Sequence, residues 1–343
     1  MTDMLRSLLV QDMAWALLLA AVAALVVLVS GRSWIALLRA NNIRKRVRNE
    51  GSDTIVAYGQ FTMGGVMFVV PVVVLTIVFN LVDRWSMLLP LSVMVAFAVL
   101  GAVDDYYSLA VVQSKHYGLT ERVKGVIQLL FSVGASVVLY LPAPLGLGHS
   151  GLVYVPFFGI SDLGVAVIPI ASVVIWVTVN SVNIADGVDG LSGWTLMVSF
   201  AAYGVIAFLN GEFTNLMTLC FTLVGALAGY LWYNAHPAPV IMGDLGSMAL
   251  GAVLAMVALQ SQQWLLLPII GVVFVIEGFS SFLQTAYFRY TRVRTGEGVR
   301  IFRMAPLHHH LRITGWSEPQ LTQRAVIITL AGALVGVALA LGA

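Results

Sequence analysis

Long apolar runs alternate with short polar stretches along almost the whole chain. Ten such runs predict ten helical spans, at about 13–31, 63–82, 86–103, 124–142, 163–182, 191–209, 214–232, 240–259, 264–286 and 324–342. Their length approaches the ~20 residues a helix needs to cross the hydrocarbon core. The runs are continuous rather than alternating. That selects helices over a closed barrel, the other structure that satisfies its backbone in lipid. The expected fold class is an all-α polytopic membrane protein, one integral membrane domain over residues 1–343 with the bilayer as its solvent. The first run has no basic region before it with a small-residue cleavage site after it, so it reads as a retained helix.

The polar stretches between the runs are asymmetric in charge. Segments 32–62, 104–123, 183–190, 233–239 and 287–323, with Lys124 and Arg324 at helix ends, hold sixteen of the eighteen lysines and arginines. Only Arg6 and Arg84 fall on the other side, and segment 143–162 has neither residue type. Positive charge marks the cytoplasmic side. These segments are therefore expected inside and, with ten spans, both termini outside.

Composition sharpens this class without changing it. The chain is 59% hydrophobic and 10% charged, with mean hydropathy +0.93. A soluble domain carries about 25% charged residues. A net charge of +2 gives no reason to expect a nucleic-acid partner. The single cysteine, Cys220, lies in an apolar run and reads as a packing residue.

The acids gather on the basic side. Asp104 and Asp105 end the third span, Asp186 and Asp189 follow the fifth, and Asp244 opens the eighth. An active site at the cytoplasmic face is expected, with a divalent cation and an anionic substrate. The stretch NSVNIADGVDG, residues 180–190, joins Asp186 and Asp189 to Asn180 and Asn183, with Gly187 and Gly190 between them. Carboxylates and carboxamides suit a hard cation or a phosphate-bearing ligand, and the glycines allow close approach. A solvated loop with helix-capping Asn and Asp is the plainer alternative.

The adjacent Asp104 and Asp105 repel each other, and Lys124 or Lys115 can relieve them. Asn234 and Asp244 bracket the Pro-rich run YNAHPAPVIMGDLGSM, where Asp244 also suits the helix dipole. His308, His309 and His310 are consecutive in RIFRMAPLHHHLRITGW, a spacing that does not suit zinc. With Arg300, Arg303 and Arg312 nearby they suit a substrate phosphate or sugar. Glu277, inside the ninth span, is either functional or a hydrogen-bonded structural acid. Gly225/Gly229 and Gly332/Gly336 are small-residue pairs expected to let helices pack closely.

Taken together, TMGG at 62–65, the Asp104–Asp105 pair, NxxNxxDGxDGL, LWYNxxPAxVxMGDxGS and MAPLHHH followed by GWSEPQ resemble the MraY family. These are phospho-N-acetylmuramoyl-pentapeptide transferases of the polyprenyl-phosphate sugar-1-phosphate transferase superfamily. The resemblance runs from about residue 32 to 342, and the histidine run marks the MraY branch.

The resemblance implies transfer of phospho-MurNAc-pentapeptide from UDP-MurNAc-pentapeptide to undecaprenyl phosphate. Lipid I and UMP would form with Mg2+, at the bacterial inner (cytoplasmic) membrane, in a possible homodimer. It further implies Asp244 as the chief magnesium ligand, with Asp186 in the same cation pocket. Asp104 would be the base toward the lipid phosphate, with Asp105 beside it. Asn183, Asp186, Gly187 and Asp189 would shape the nucleoside and cation pocket. Lys124, His308, His309 and His310 would contact phosphate or sugar, and Thr62 and Asn234 would line the site.

The chain departs from the family pattern in several places. AYGQFTMGG lacks the usual upstream lysine and a proline, Ser108 stands where a lysine commonly follows the acid pair, and Ala185 replaces a threonine. Ile241 replaces an aromatic that would stack on uracil. One rival reading is a sister enzyme using UDP-GlcNAc, against which the histidine run speaks. A transporter would place its polar groups near the midplane in repeated halves, a pattern this sequence lacks.

Overall fold

The computed structural model describes residues 2–48, 55–81, 85–110, 119–142, 151–211 and 213–342, so Arg84 and Lys115 lie outside the described residues. The elements run α1 (Thr2–Ala40), β1 (Arg44–Arg48), β2 (Ile55–Phe61), α2 (Val66–Phe79), α3 (Leu88–Ala110), α4 (Glu121–Tyr140), β3 (Leu152–Val155) and β4 (Gly159–Asp162). They continue with α5 (Val167–Ala185), α6 (Leu191–Asn210), α7 (Thr214–Asn234), α8 (Gly243–Gln260), α9 (Leu267–Ile270), α10 (Val272–Thr295), α11 (Leu307–Ile313) and α12 (Glu318–Leu341).

Every apolar run of the sequence coincides with helix. Among the described residues, eight helices are long and apolar enough to cross a membrane, and a bent pair adds a ninth. The chain is an all-helical, multi-pass membrane protein with two small antiparallel hairpins, β1–β2 and β3–β4.

Two runs differ from simple spans. The run at 63–82 yields α2, only 14 residues, about 21 Å at the helical rise against a core of about 30 Å. Its first residues leave the helix to pair elsewhere: the Gly64 and Gly65 amides donate to the Ile241 and Met242 carbonyls, both at 2.9 Å. The run at 264–286 is bent by 82° between Ile270 and Val272. Gly271 sits at the bend with non-helical φ −95° and ψ 31°. A glycine between apolar turns gives up helix at little cost.

Helix α8 is the centre of the bundle. Of its eighteen residues only Asp244 is not buried. A helix that is apolar on every face belongs inside, and the lone exception is an acid in its first turn. Glycines set how closely neighbours approach it. A Cβ on Gly101 of α3 would collide with the Asp244 carbonyl, and one on Gly251 would come within 2.9 Å of the Val179 Cα in α5. The expected small-residue pairs do the same elsewhere. Gly225 and Gly229 of α7 lie against the α1 backbone at Ala20 and Ala24, and Gly332 and Gly336 of α12 lie against Ile269 and Ile270. Cys220 is buried and free.

Candidate active site

The close approach of α3 to α8 brings the acids of two distant motifs together. Asp104 and Asp105 lie about one turn beyond Gly101, and Asp244 opens α8. Lys124, in the first turns of α4, reaches between them. Its Nζ lies 3.0 Å from Asp104 Oδ2 and also donates to Asp244 Oδ2. The Asp104 and Lys124 side chains are 12% and 10% exposed, whereas 26% of the Asp244 side chain is open. The second Asp104 oxygen accepts from the Leu119 amide at 2.6 Å.

Asp105 has a different task. Its Oδ2 accepts from the Leu245 amide at 3.2 Å, at the start of α8, where the helix dipole favours an anion. Its Oδ1 accepts from Thr62 Oγ1 at 3.4 Å. Thr62 is carried there because the chain after β2 runs beside residues 239–242. The Phe61 amide donates to Pro239 O at 3.1 Å, and the Ile241 amide donates to Phe61 O at 2.8 Å. Between them, Gly243 takes φ +71°, and a Cβ there would lie 2.6 Å from both Asp105 Oδ2 and Thr62 Oγ1. That position needs glycine on conformation and on space alike.

The 180–190 stretch forms the opposite wall. Asn183 donates to Ser247 Oγ at 2.8 Å, which in turn donates to Gly243 O at 3.0 Å, so the end of α5 is pinned to the first turn of α8. Asp186 is the C-cap of α5 and is partly buried. Gly187 faces the His308 ring so closely that a Cβ would collide with Nε2. His308 is 1% exposed. Its Nδ1 lies 3.0 Å from Glu277 Oε2, and its amide donates to the same oxygen at 3.3 Å. Its Nε2 is buried without a hydrogen-bond partner. Glu277 thus has the hydrogen-bonded role expected of an acid inside a span, and it orients an imidazole toward Gly187. The His309 ring lies 4.2 Å from that of His308, while His310 Nδ1 accepts from the Arg303 amide at 3.2 Å.

Two residues expected to line the site, Asp189 and Asn234, are held in place by protein groups. Asp189 Oδ1 accepts from Gln60 Nε2 at 2.7 Å, and Oδ2 meets the Ala238 amide at 3.0 Å and His236 Nδ1 at 2.9 Å. Asn234 accepts from the Gly190 amide at 3.0 Å and donates to Val240 O at 2.8 Å. Together they tie the 186–190 turn to β2 and to the α7–α8 connection. His236 also lies 3.5 Å from Glu318, which holds Arg312 at 3.3 Å. Arg312 is therefore paired, whereas Arg300 and Arg303 have no carboxylate partner among the described residues. Gln60, His236, Ser247 and Glu318 were not legible as site residues, because each is an ordinary polar residue in a strand, loop or helix end until its partner is placed.

Asp189, His236 and Glu318 could also gather a metal ion, since their ligand atoms lie within 4.8 Å of one another. Asp189 already spends both oxygens on protein donors, however, and an imidazole suits a transition metal better than a hard cation. Asp104 and Asp105 spend their oxygens on protein donors as well, but the Asp104–Lys124–Asp244 cluster offers only oxygen ligands, the set a hard divalent cation takes. With Asp105 it sets three carboxylates against one ammonium, all its acceptors are oxygens, and Asp244 is partly open.

The comparisons with known proteins bear on this geometry. Glycosyl transferase family 4 matches residues 87–262, from the start of α3 to the end of α8. A phospho-N-acetylmuramoyl-pentapeptide-transferase of Chloroflexus aurantiacus is 57% identical over 341 residues, 99% of this chain and 93% of that protein. One from Chloroflexus aggregans is 56% identical over the same coverage. A more distant one, from Citrifermentans bemidjiense, is 36% identical over 92% of this chain and 89% of its own length. On its motifs, its helical plan and near-complete similarity to these relatives, the chain belongs to the phospho-N-acetylmuramoyl-pentapeptide-transferase family.

Proposed function

We propose that this chain transfers phospho-MurNAc-pentapeptide from its UDP carrier to undecaprenyl phosphate, giving lipid I and UMP. The observation that carries the reading is the Asp104–Lys124–Asp244 cluster at converging helix ends, in a chain 57% identical to a transferase of that name. We place the site at the cytoplasmic face of a bacterial inner membrane. The sixteen inward-side basic residues support that orientation. Ten spans, with both termini outside, would follow if the short α2 and the bent pair each cross. A reaction between a soluble nucleotide and an anchored lipid phosphate has to occur at such a boundary.

In the reaction, an oxygen of the lipid phosphate attacks the phosphorus that carries the sugar. The bond from that phosphorus to the bridging oxygen breaks, and UMP leaves with the electron pair. Asp104 is placed to take the remaining proton of the lipid phosphate, whose second ionisation lies near pH 6. Lys124 and the Leu119 amide hold its two oxygens. Lys124 also offsets the charge that the incoming phosphates add, since positioning and neutralisation dominate phosphoryl transfer. Asp244, with Asp186 at the end of α5, would hold magnesium, which when bound neutralises the diphosphate and stabilises the leaving UMP. With Nδ1 against Glu277, His308 packs its buried Nε2 on Gly187 and would shape the wall that sugar or phosphate meets.

The test is UMP release by detergent-purified protein supplied with UDP-MurNAc-pentapeptide. Omitting undecaprenyl phosphate, or chelating magnesium, is expected to bring release to background. Release that persists without the lipid would indicate hydrolysis rather than transfer, and release that persists under chelation would remove the metal from the mechanism.

A further inference from the structure

One strongly charged feature is not used by the reaction so far described. A cavity of about 710 Å³ lies between α10 and the segment that follows it, and Arg289, Arg300 and Arg303 line it. None of the three has a carboxylate partner among the described residues. Three neighbouring arginines are engaged: Arg294 with Tyr290 Oη at 2.5 Å, Arg312 with Glu318, and Arg324 over the Trp316 ring at 3.9 Å. All three are exposed, and like charges set around one cavity repel each other unless an anion lies between them.

The cavity wall is built rather than loose. Gln284 Oε1 accepts from the Ile301 and Phe302 amides, both at 3.0 Å, and Nε2 donates to Phe302 O at 3.1 Å. Thr291 Oγ1 accepts from the Val299 amide at 2.8 Å. Phe288 packs where Gly298 has no side chain. The segment is also joined to the candidate site through the Arg303 amide and His310 Nδ1. Guanidinium forks match carboxylates in geometry.

We propose that this cavity binds the carboxylate end of the donor's peptide stem, which rests on the reading of the donor as a peptide-bearing sugar nucleotide. The cavity adjoins the histidine run, since Arg303, Met304 and Ala305 line it and the Arg303 amide donates to His310 Nδ1. Its far end, Arg289, lies twelve residues beyond Glu277 on α10, about 18 Å at the helical rise. A five-residue peptide extends up to about 17 Å, and the sugar that carries it adds the remainder. This places recognition of the peptide apart from the reacting phosphates, on the far side of the histidine run.

The experiment compares binding of UDP-MurNAc-pentapeptide and of the same molecule with a C-terminal carboxamide. Both are titrated into detergent-purified wild-type protein and an Arg300→Gln/Arg303→Gln variant. For the acid, Kd is expected to rise about 10- to 100-fold in the variant, the worth of a charge-assisted pair. For the amide the two proteins should agree within a factor of about two, and that agreement also reports that the variant is folded. Equal losses for both ligands, or no loss for either, would overturn the proposal. So would a loss for the acid that appears only in anionic-lipid nanodiscs and not in neutral detergent, which would assign the arginines to lipid headgroups. Because binding is read directly, the outcome stands whether or not the wild type releases UMP. Absence of UMP release would count against the transferase reading alone.

Discussion

Asp244→Asn is expected to lower turnover by about 10²- to 10³-fold or more, the range for losing one preorganised electrostatic group. The fold should survive. Asp244 is the only residue of α8 that is not buried, so the change removes charge without opening a cavity. It also leaves Lys124 paired to Asp104 at 3.0 Å. The substitution keeps size and one acceptor oxygen, so it isolates the negative charge. UMP release and thermal unfolding, measured on the same preparation, check this. Normal turnover would remove Asp244 from the mechanism, and a large loss of thermal stability would show that its role is structural.

Lys124→Met is expected to abolish turnover as well, but to destabilise the protein at the same time. Lys124 is the cation between Asp104 and Asp244, and it is 8% exposed. Removing one member of a buried ion pair leaves an uncompensated charge and costs about 3 kcal/mol or more. Here two carboxylates would be left facing each other. The double variant Lys124→Met/Asp104→Asn should recover much of the lost stability, because the repulsion goes with the second charge, and should remain inactive. The coupling is read from the thermal midpoints of the wild type, the two single variants and the double variant. Additive losses would show that the two residues do not act as a pair.

The helices were legible in the sequence because a continuous apolar run has one stable form in lipid. The bend at Gly271 was not, since apolar residues continue on both sides of it and only its dihedrals break the helix. The two hairpins were also missed. Strand β1 reads RKRVR, a basic run with no apolar alternation, and its pairing becomes visible only once β2 lies beside it.

The candidate site was legible in its acids and not in their division of labour. Asp104, Asp105, Asp186, Asp189 and Asp244 all stand out in an apolar chain. Their partners decide what each one does: Lys124 for Asp104 and Asp244, the α8 amide of Leu245 for Asp105, and Gln60 with His236 for Asp189. Gln60 is 129 residues away from Asp189, a separation that no local pattern bridges. Glu277 is the reverse case. Its isolation inside a span signalled importance, and its contact with His308 explains it.

The central claim is a phospho-sugar transfer selective for the peptide-bearing donor. It is tested most directly by giving the purified protein undecaprenyl phosphate, magnesium and either UDP-MurNAc-pentapeptide or UDP-GlcNAc, and measuring UMP. Release with the first donor alone is the predicted result. Release with UDP-GlcNAc alone would keep the fold and the chemistry and overturn the substrate. No release with either donor, from folded protein, would contradict the transferase reading itself.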